Sequence, residues 1–250
     1  MGHYRAMDPS RIDVVLVRPA RPANVAAACR AMKNMGLTRL RIVEPPSGLA
    51  EPEARNLAYG AWDVLDAARP ERSLVEAVGN SAFVAGATAR AVPEAWTPRR
   101  LAQEAEERAG GGRLSLVFGP EGSGLTNQEL SLCHVRVRIP TSPAHSSLNL
   151  AQAVLVLAYE LHVSPAAAAI VEGPPPASAG ACEDTVQDLR TALLEIGYLN
   201  PAQPDEVLAE LRAVVLRVRP TAREVTLLRG LARQVAWAGR NARGPRHRIE

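Results

Sequence analysis

A glycine-rich stretch at residues 118–129, FGPEGSGLTNQE, has the residue types of a ligand-binding loop. Its three glycines directly follow a predicted strand and allow the backbone to approach a ligand closely, while Thr126 and Glu129 predict the capping box of a new helix. An ordinary strand-to-helix turn would use the same residues. The spacing differs from the GxGxxG fingerprint, and the carboxylate of Glu121 would repel a pyrophosphate, so a dinucleotide is disfavoured. A cationic or hydroxyl-rich ligand suits this loop better.

A second set of polar residues lies at the start of a predicted helix, in residues 22–32 (PANVAAACRAM). Asn24 is interpreted first as the N-cap of this helix. Arg30 lies among alanine, cysteine and methionine, where a buried charge is costly unless it is paired. We therefore expect Arg30 to be buried and to need an anionic partner, such as a phosphate of a ligand.

A third segment, residues 139–149 (IPTSPAHSSLN), is a predicted loop that leads into a long apolar helix from Ser147 to His162. The simplest interpretation of Ser147 is that it only caps this helix. Asn149 would lie inside the apolar helix, where its amide needs a buried polar partner. Because the helix is apolar almost all round, it must be buried on several sides, by the core or by a partner subunit.

Short β-branched runs alternate with helical ones in the first two thirds of the chain, and these elements would position the three segments. The predicted strands are Ile12–Val17, Leu40–Val43, Ala82–Ala85, Leu114–Phe118 and Val135–Ile139. A helix from Asn24 to Met35 ends at Gly36. In the last strand valine alternates with arginine, which indicates a solvated or edge-like face. Strands alternating with helices predict an α/β fold with a mostly parallel sheet covered by helices on both faces.

The chain divides into four predicted parts. Residues 1–10 form a poorly ordered N-terminus, residues 11–163 the α/β domain, residues 164–181 a linker rich in proline and alanine, and residues 182–250 a helical, basic C-terminal extension. Residues 211–250 hold ten arginines against two glutamates, a net charge of +8, which leaves −5 elsewhere because the whole chain carries +3. The positive end is the kind of patch that binds a polyanion.

The remaining composition excludes several classes of protein. With 47% hydrophobic and 22% charged residues over 250 positions, the chain is globular. Its one lysine, Lys33, is not part of a Walker A sequence, and its place in a predicted helix argues against a Schiff-base enzyme. The three cysteines, without CxxC or HxxxH spacing, predict reduced thiols and no zinc site. No apolar run reaches the roughly 18 residues of a membrane span, and we expect a cytoplasmic protein.

The three segments, in this order, resemble the three motifs of the SpoU family of SPOUT RNA ribose methyltransferases, over residues 11–163. The residues that carry the resemblance are Asn24 with Arg30, Phe118–Leu125 and Ile139–Asn149. The sequences RAMKNMGL, LTNQEL and SSLNLA, with the helical extension, look most like the TrmJ branch of this family, the tRNA (cytidine/uridine) 2′-O-methyltransferases. One position departs from the family pattern, since Ala26 stands where the family usually has glycine.

The resemblance implies S-adenosylmethionine-dependent 2′-O-methylation of a ribose in tRNA, in the anticodon loop, with S-adenosylhomocysteine as product and no metal required. It also implies a trefoil knot in the C-terminal part of the α/β domain, a rare exception among protein connections. A homodimer would pair the helix after the third motif with its twin, and no membrane partner is expected. The family's cofactor-binding positions correspond to Ala87, Thr88, Ala89, Gly119, Ile139, Ser146, Ser147 and Leu148. Its catalytic positions correspond to Arg30, Asn24, Glu121, Ser147 and Asn149.

The chemistry of the side chains suggests a role for each matching catalytic position. A guanidinium with a pKa above about 12 is a poor proton acceptor, so Arg30 is expected to bind a phosphate and stabilise the developing alkoxide. Glu121 or the phosphate itself would accept the proton, while Asn24 and Asn149 position Arg30 and the loops. Two alternatives stay open: a methyltransferase acting on ribosomal RNA, and, because of Ala26, a weakly catalytic protein that binds RNA or the cofactor.

Overall fold

Six parallel strands form one sheet in the computed structural model, which describes residues 7–164 and 174–242. The strands are β1 (Ile12–Val17), β2 (Arg39–Val43), β3 (Arg69–Glu71), β4 (Phe83–Ala87), β5 (Leu114–Phe118) and β6 (Val135–Val137). Their order across the sheet is β3-β2-β1-β5-β4-β6, and each neighbouring pair is parallel. β6 is therefore an edge strand, as its alternating valine and arginine residues indicated.

Helices cover both faces of this sheet. In the first part of the chain they are α1 (Pro22–Asn34), α2 (Pro52–Leu57), α3 (Trp62–Asp66), α4 (Leu74–Val78), α5 (Pro98–Ala109), α6 (Asn127–Ser131) and α7 (Leu150–Val163). In β1, Val14 and Leu16 belong to a first core shared with α1, α5 and α7, whereas Val15 and Val17 belong to a second core shared with α4 and α6. Side chains alternate between the faces of a strand, so each face has its own core. The predicted α/β fold is confirmed.

Two helices begin at residues other than those predicted. α1 begins at Pro22, whose ring presets the φ of the first helical turn, so Asn24 lies within the helix and is not its N-cap. α7 begins at Leu150 rather than at Ser147, because the side chain of Asn149 caps the first turn with a capping box. Asn149 is therefore an exposed N-cap and not a polar residue buried inside the helix.

Three further helices form the C-terminal extension: α8 (Ala179–Glu195), α9 (Asp205–Val218) and α10 (Ala222–Ala242). The backbone N–H of Ala179 donates to the carbonyl oxygen of Ser81 over 2.7 Å, and that of Gly180 donates to the carbonyl oxygen of Gly79 over 3.0 Å. Ala179 also belongs to the second core, so the extension packs directly against the α/β domain. α8 begins within the predicted linker, of which residues 165–173 lie outside the described residues.

The described chain starts close to the sheet, since Met7 is buried in the first core. Of the N-terminus predicted to be poorly ordered, residues 1–6 lie outside the described residues, as do residues 243–250 at the other end. None of the described helices is long and apolar enough to cross a membrane. The trefoil knot implied by the family resemblance stays a prediction.

Candidate active site

A cavity of about 290 Å³ opens at the edge of the sheet where β4, β5 and β6 end. In a parallel sheet the carboxyl ends of the strands meet at one edge, so loops that are far apart in sequence converge there. All eight positions predicted to bind the cofactor line this cavity: Ala87, Thr88, Ala89, Gly119, Ile139, Ser146, Ser147 and Leu148. The structure brings this set together, and the assignment of the cofactor to it stays a prediction.

The loop after β5 depends on Gly119. A Cβ atom at this position would lie 2.3 Å from both the carbonyl carbon of Gly124 and the backbone nitrogen of Leu125, closer than such atoms can approach. The loop closes with a hydrogen bond of 2.8 Å from the N–H of Gly124 to the carbonyl of Pro120. Gly124 has a φ of +66°, which costs glycine little. The chain thus folds back on itself, and glycine backbone lines the cavity.

A chain of hydrogen bonds joins the three motif segments beside the cavity. The side-chain amide of Asn149 donates to Oδ1 of Asn24 over 3.1 Å, and Nδ2 of Asn24 donates to Oε1 of Glu121 over 2.5 Å. The second carboxylate oxygen of Glu121 accepts a hydrogen bond from the backbone N–H of Ala20 over 2.8 Å. Three of the predicted catalytic residues are thus in direct contact, and Glu121 also lines the cavity.

The carboxyl group of Glu121 is held in its ionised form. Partial burial raises its pKa, but hydrogen bonds from Asn24 and from backbone N–H groups, including that of Ala20, outweigh this effect and place the pKa below its usual value. A carboxylate with a lowered pKa is a weak proton acceptor near neutral pH. This environment suits Glu121 to orienting the amide of Asn24.

The other two predicted catalytic residues lie apart from this chain. Arg30 is exposed, and no described residue forms a hydrogen bond or ion pair with its guanidinium. The prediction that Arg30 is buried is wrong, because Cys29 and Ala31 point into the core while Arg30, about 100° from each of them around α1, points away from it. Ser147 is also exposed, and it lines the cavity.

The departure from the family pattern at Ala26 does not reach the cavity. Ala26 is fully buried in the first core and is not among the described residues that line the cavity. Core packing therefore accommodates the additional methyl group. Ala26 therefore does not narrow the cavity.

Sequence reasoning missed Arg90, which lines the cavity next to Ala89. Its Nη1 atom donates to Oδ1 of Asn127 over 2.8 Å, and its Nη2 atom donates to the carbonyl oxygen of Leu125. Arg90 thus ties the loop after β4 to the end of the glycine-rich loop. The one local indication that Arg90 belongs to the site is its position directly after three predicted cofactor-binding residues. Because arginine is abundant in this chain, one more arginine does not stand out.

Comparison with known families identifies the class of protein that this fold and cavity define. Residues 11–159 match the SpoU rRNA methylase family, so the chain belongs to that family, which implies a methyl donor of the S-adenosylmethionine type. Residues 181–247 match the C-terminal domain of the tRNA methyltransferase TrmJ. The C-terminal part of the chain is therefore similar to TrmJ, and the family resemblance seen in the sequence is confirmed.

Individual relatives show the same similarity, and two of them show it over most of the chain. The tRNA (cytidine/uridine-2′-O-)-methyltransferase TrmJ of Yersinia enterocolitica is 37% identical, over 94% of this chain and 97% of the relative. The crystal structure of TrmJ from Z. mobilis has a TM-score of 0.80 and 33% identity, over 89% of this chain and 98% of that one. A structure described as giving insights into the 2-OH methylation of C/U34 on tRNA has a TM-score of 0.51 and 26% identity, over 62% of this chain and 96% of that one.

Proposed function

We propose that this protein transfers a methyl group from S-adenosylmethionine to the 2′-hydroxyl of a ribose in tRNA, in the anticodon loop. The observation that carries the proposal is the convergence of the three motif segments. Eight matching positions line one cavity, and Asn24, Glu121 and Asn149 form one hydrogen-bonded chain beside it. The relatives' names support tRNA as the substrate, and the structure concerned with C/U34 supports the anticodon loop.

The cavity has a size and lining that suit S-adenosylmethionine. Its volume of about 290 Å³ is close to the roughly 300 Å³ at which the usual range of ligand pockets begins. Small residues such as Ala87, Ala89 and Gly119 leave backbone groups accessible, and the carboxylate of Glu121 suits a cationic ligand. The cofactor, when bound, supplies an electrophilic methyl group on a sulfonium cation, S-adenosylhomocysteine is the product, and the displacement requires no metal ion.

The protein's own groups would orient the 2′-hydroxyl and stabilise its developing negative charge. Methyl transfer is an in-line displacement, so the hydroxyl oxygen must be aligned with the methyl group. Arg30 is exposed and available to bind an RNA phosphate and to stabilise the alkoxide. Asn24 and Asn149 connect α1 to the start of α7 and so fix the loops around the reacting group. Because Glu121 already accepts two hydrogen bonds, we assign it a positioning role, and the proton leaves through the phosphate to solvent.

Glu121→Gln separates positioning from proton transfer. Glutamine keeps the size and one acceptor oxygen, but its NH2 group replaces the second acceptor and loses one of the two hydrogen bonds, so we expect kcat to fall only about tenfold. The measurement is single-turnover methyl transfer from labelled cofactor, with Glu53→Gln, at an exposed glutamate of α2, as the control. A general base contributes about 10²- to 10⁴-fold, so a loss above about a thousandfold with unchanged cofactor affinity would instead assign the proton to Glu121.

The homodimer remains a prediction, and α7 offers a surface for it. Leu155, Tyr159 and Val163 are spaced four residues apart and are 38%, 51% and 48% exposed, which makes an apolar stripe along the helix. We expect Leu155→Asp to give monomers or insoluble protein, because a carboxylate buried in an apolar interface loses its hydration. Leu227→Asp, at an exposed leucine of α10, should leave the dimer intact. Sedimentation of the unaltered protein as a monomer at micromolar concentration would contradict the dimer.

Ribosomal RNA is the alternative substrate, since the family matched by residues 11–159 is described as a family of rRNA methylases. The two substrates are separated by incubating the purified protein with labelled S-adenosylmethionine and either a tRNA fraction or ribosomal RNA. We expect label in tRNA and background levels in ribosomal RNA. Label confined to ribosomal RNA would overturn the choice of substrate, and label in neither would overturn the activity. We place the activity in the cytoplasm, which suits the three buried, free cysteines.

A further inference from the structure

A strongly basic groove lies at the outer edge of the sheet, next to the 290 Å³ cavity described above, which we call the cofactor cavity. It has a volume of about 640 Å³ and is bounded by the start of β6, by α5 and by α9 of the extension. We call it the edge groove, and among the described residues it shares no lining residue with the cofactor cavity. Five arginines line it: Arg100, Arg108, Arg136, Arg217 and Arg219.

The positive charge of the edge groove is only partly neutralised. Arg100 and Arg108 both pair with a single carboxylate, that of Glu104, over 2.8 and 2.9 Å. Glu94 is the one acidic side chain among the described residues that line the groove. The charge of Glu107 also acts on Arg219. Five guanidinium groups therefore face three carboxylates, which leaves a local excess of positive charge that attracts anions.

Trp96 holds two of these guanidinium groups in place. Its backbone N–H donates to the carbonyl of Arg136 over 2.8 Å and its carbonyl accepts from the N–H of Arg138 over 2.9 Å, so it is tied to β6. The guanidinium carbon of Arg100 lies 4.4 Å from the centre of the indole ring, and that of Arg108 lies 5.5 Å from it. Side chains positioned in advance lose less entropy when they bind a ligand.

Arg219 has a donor that the described protein does not use. It follows α9 with a φ of +54°, and its Nη2 atom donates to the carbonyl of Glu107 over 3.3 Å and to that of Arg108. Its buried Nε atom has no hydrogen-bond partner among the described residues. Burial, and then the charge of Arg108, lower the pKa of Arg219. A buried cationic donor without an acceptor is costly, and a phosphate oxygen would satisfy it.

We propose that the edge groove binds the phosphate backbone of the RNA substrate at a second point beside the reacting ribose. The inference rests on the proposed function for the identity of the RNA. The arginines come from several separate elements and span a groove too large for one phosphate, which favours a polymer over a free anion. Val135 borders the groove and Val137 borders the cofactor cavity, so residues only about 7 Å apart along β6 line the two sites.

The edge groove also gives the C-terminal extension a defined place in RNA binding. Arg217 and Arg219 belong to the extension, whereas the other three arginines belong to the α/β domain. Neither part forms the groove alone. The net charges in the sequence, basic at the C-terminal end and acidic elsewhere, therefore do not reveal this groove, because arginines of both parts form its basic surface.

The double variant Arg136→Gln/Arg217→Gln tests this proposal. Both side chains are exposed and form no ion pair with a described residue, so the variant should fold normally, which thermal unfolding checks. The matched control, Arg69→Gln/Arg72→Gln, removes the same charge at the opposite edge of the sheet, at and beside β3. Binding of a bulk tRNA fraction is measured by fluorescence anisotropy over a salt series. We expect the groove variant to bind on the order of tenfold more weakly, with a salt slope smaller by roughly 1.8, at about 0.9 per phosphate contact if the B-DNA value applies.

The control variant should keep the original affinity and salt slope. Equal losses in both double variants would show general electrostatic attraction and overturn the proposal, as would an unchanged slope in the groove variant. Methyl transfer by the unaltered protein is measured as well, so that failure of the groove proposal can be distinguished from failure of the proposed function. If that protein methylates tRNA and the groove variant binds tRNA normally, only the groove proposal fails. If tRNA binding depends on the groove but no methyl group is transferred, only the proposed function fails.

Discussion

Arg30→Ala is expected to reduce methyl transfer by about a thousandfold while the affinity for S-adenosylmethionine stays within a few fold of its original value. Arg30 lies on the exposed face of α1, outside the cavity that would hold the cofactor, so its removal should act on RNA and on the transition state only. The measurement combines single-turnover methyl transfer with calorimetric titration of the cofactor.

Arg30→Lys should fail almost as completely, since an ammonium group cannot reproduce the bidentate geometry of a guanidinium on a phosphate. Arg69→Ala, at an exposed arginine of β3, is the matched control and should keep full activity. Loss of cofactor affinity in parallel with activity in Arg30→Ala would contradict this role and place Arg30 in the cofactor site.

Gly119→Ala should abolish cofactor binding, with an affinity loss of at least about a hundredfold. The new Cβ atom would meet backbone atoms of Gly124 and Leu125 at 2.3 Å, and backbone cannot move aside as the end of a flexible side chain can. The loop after β5 would have to open, and it forms one wall of the cavity. Calorimetric titration of S-adenosylmethionine measures the effect.

Gly122→Ala in the same loop is the matched control, because nothing lies within 4 Å of a Cβ atom there and the affinity should be nearly unchanged. Thermal unfolding of both variants distinguishes a rearranged loop from a protein that does not fold. Should Gly119→Ala fold and bind the cofactor normally, the cavity would not be the cofactor site.

Most of the sheet could be predicted from the sequence because its central strands are short runs of mostly hydrophobic residues. Leu114–Phe118 has the bounds predicted for it, and the predicted capping box of Thr126 and Glu129 is present. β3 was missed because its three residues, Arg-Pro-Glu, carry no hydrophobic pattern. The start of α7 was placed too early because the apolar pattern marks the body of a helix, whereas the hydrogen bonds of Asn149 decide where it begins.

The residues of the candidate site could be predicted from the sequence, but the hydrogen bonds between them could not. Motif resemblance named the eight residues around the cavity. The hydrogen bond that Asn24 donates to Glu121 spans 97 residues and the one that it accepts from Asn149 spans 125, and no local pattern encodes them. The burial of Arg30 was wrongly predicted from its apolar neighbours in sequence, since adjacent residues of a helix face different directions. The edge groove escaped prediction because it forms only when the extension packs against the α/β domain.

Nucleoside analysis of methylated tRNA tests the central claim most directly. Unmodified tRNA transcripts are incubated with the protein and labelled S-adenosylmethionine, and the products are digested both to nucleosides and to oligonucleotides for mass spectrometry. We predict that the label appears as a 2′-O-methylribose at a position in the anticodon loop, and that the Arg30→Ala variant gives none above background. Label on a base, or on riboses outside the anticodon loop, would contradict the account.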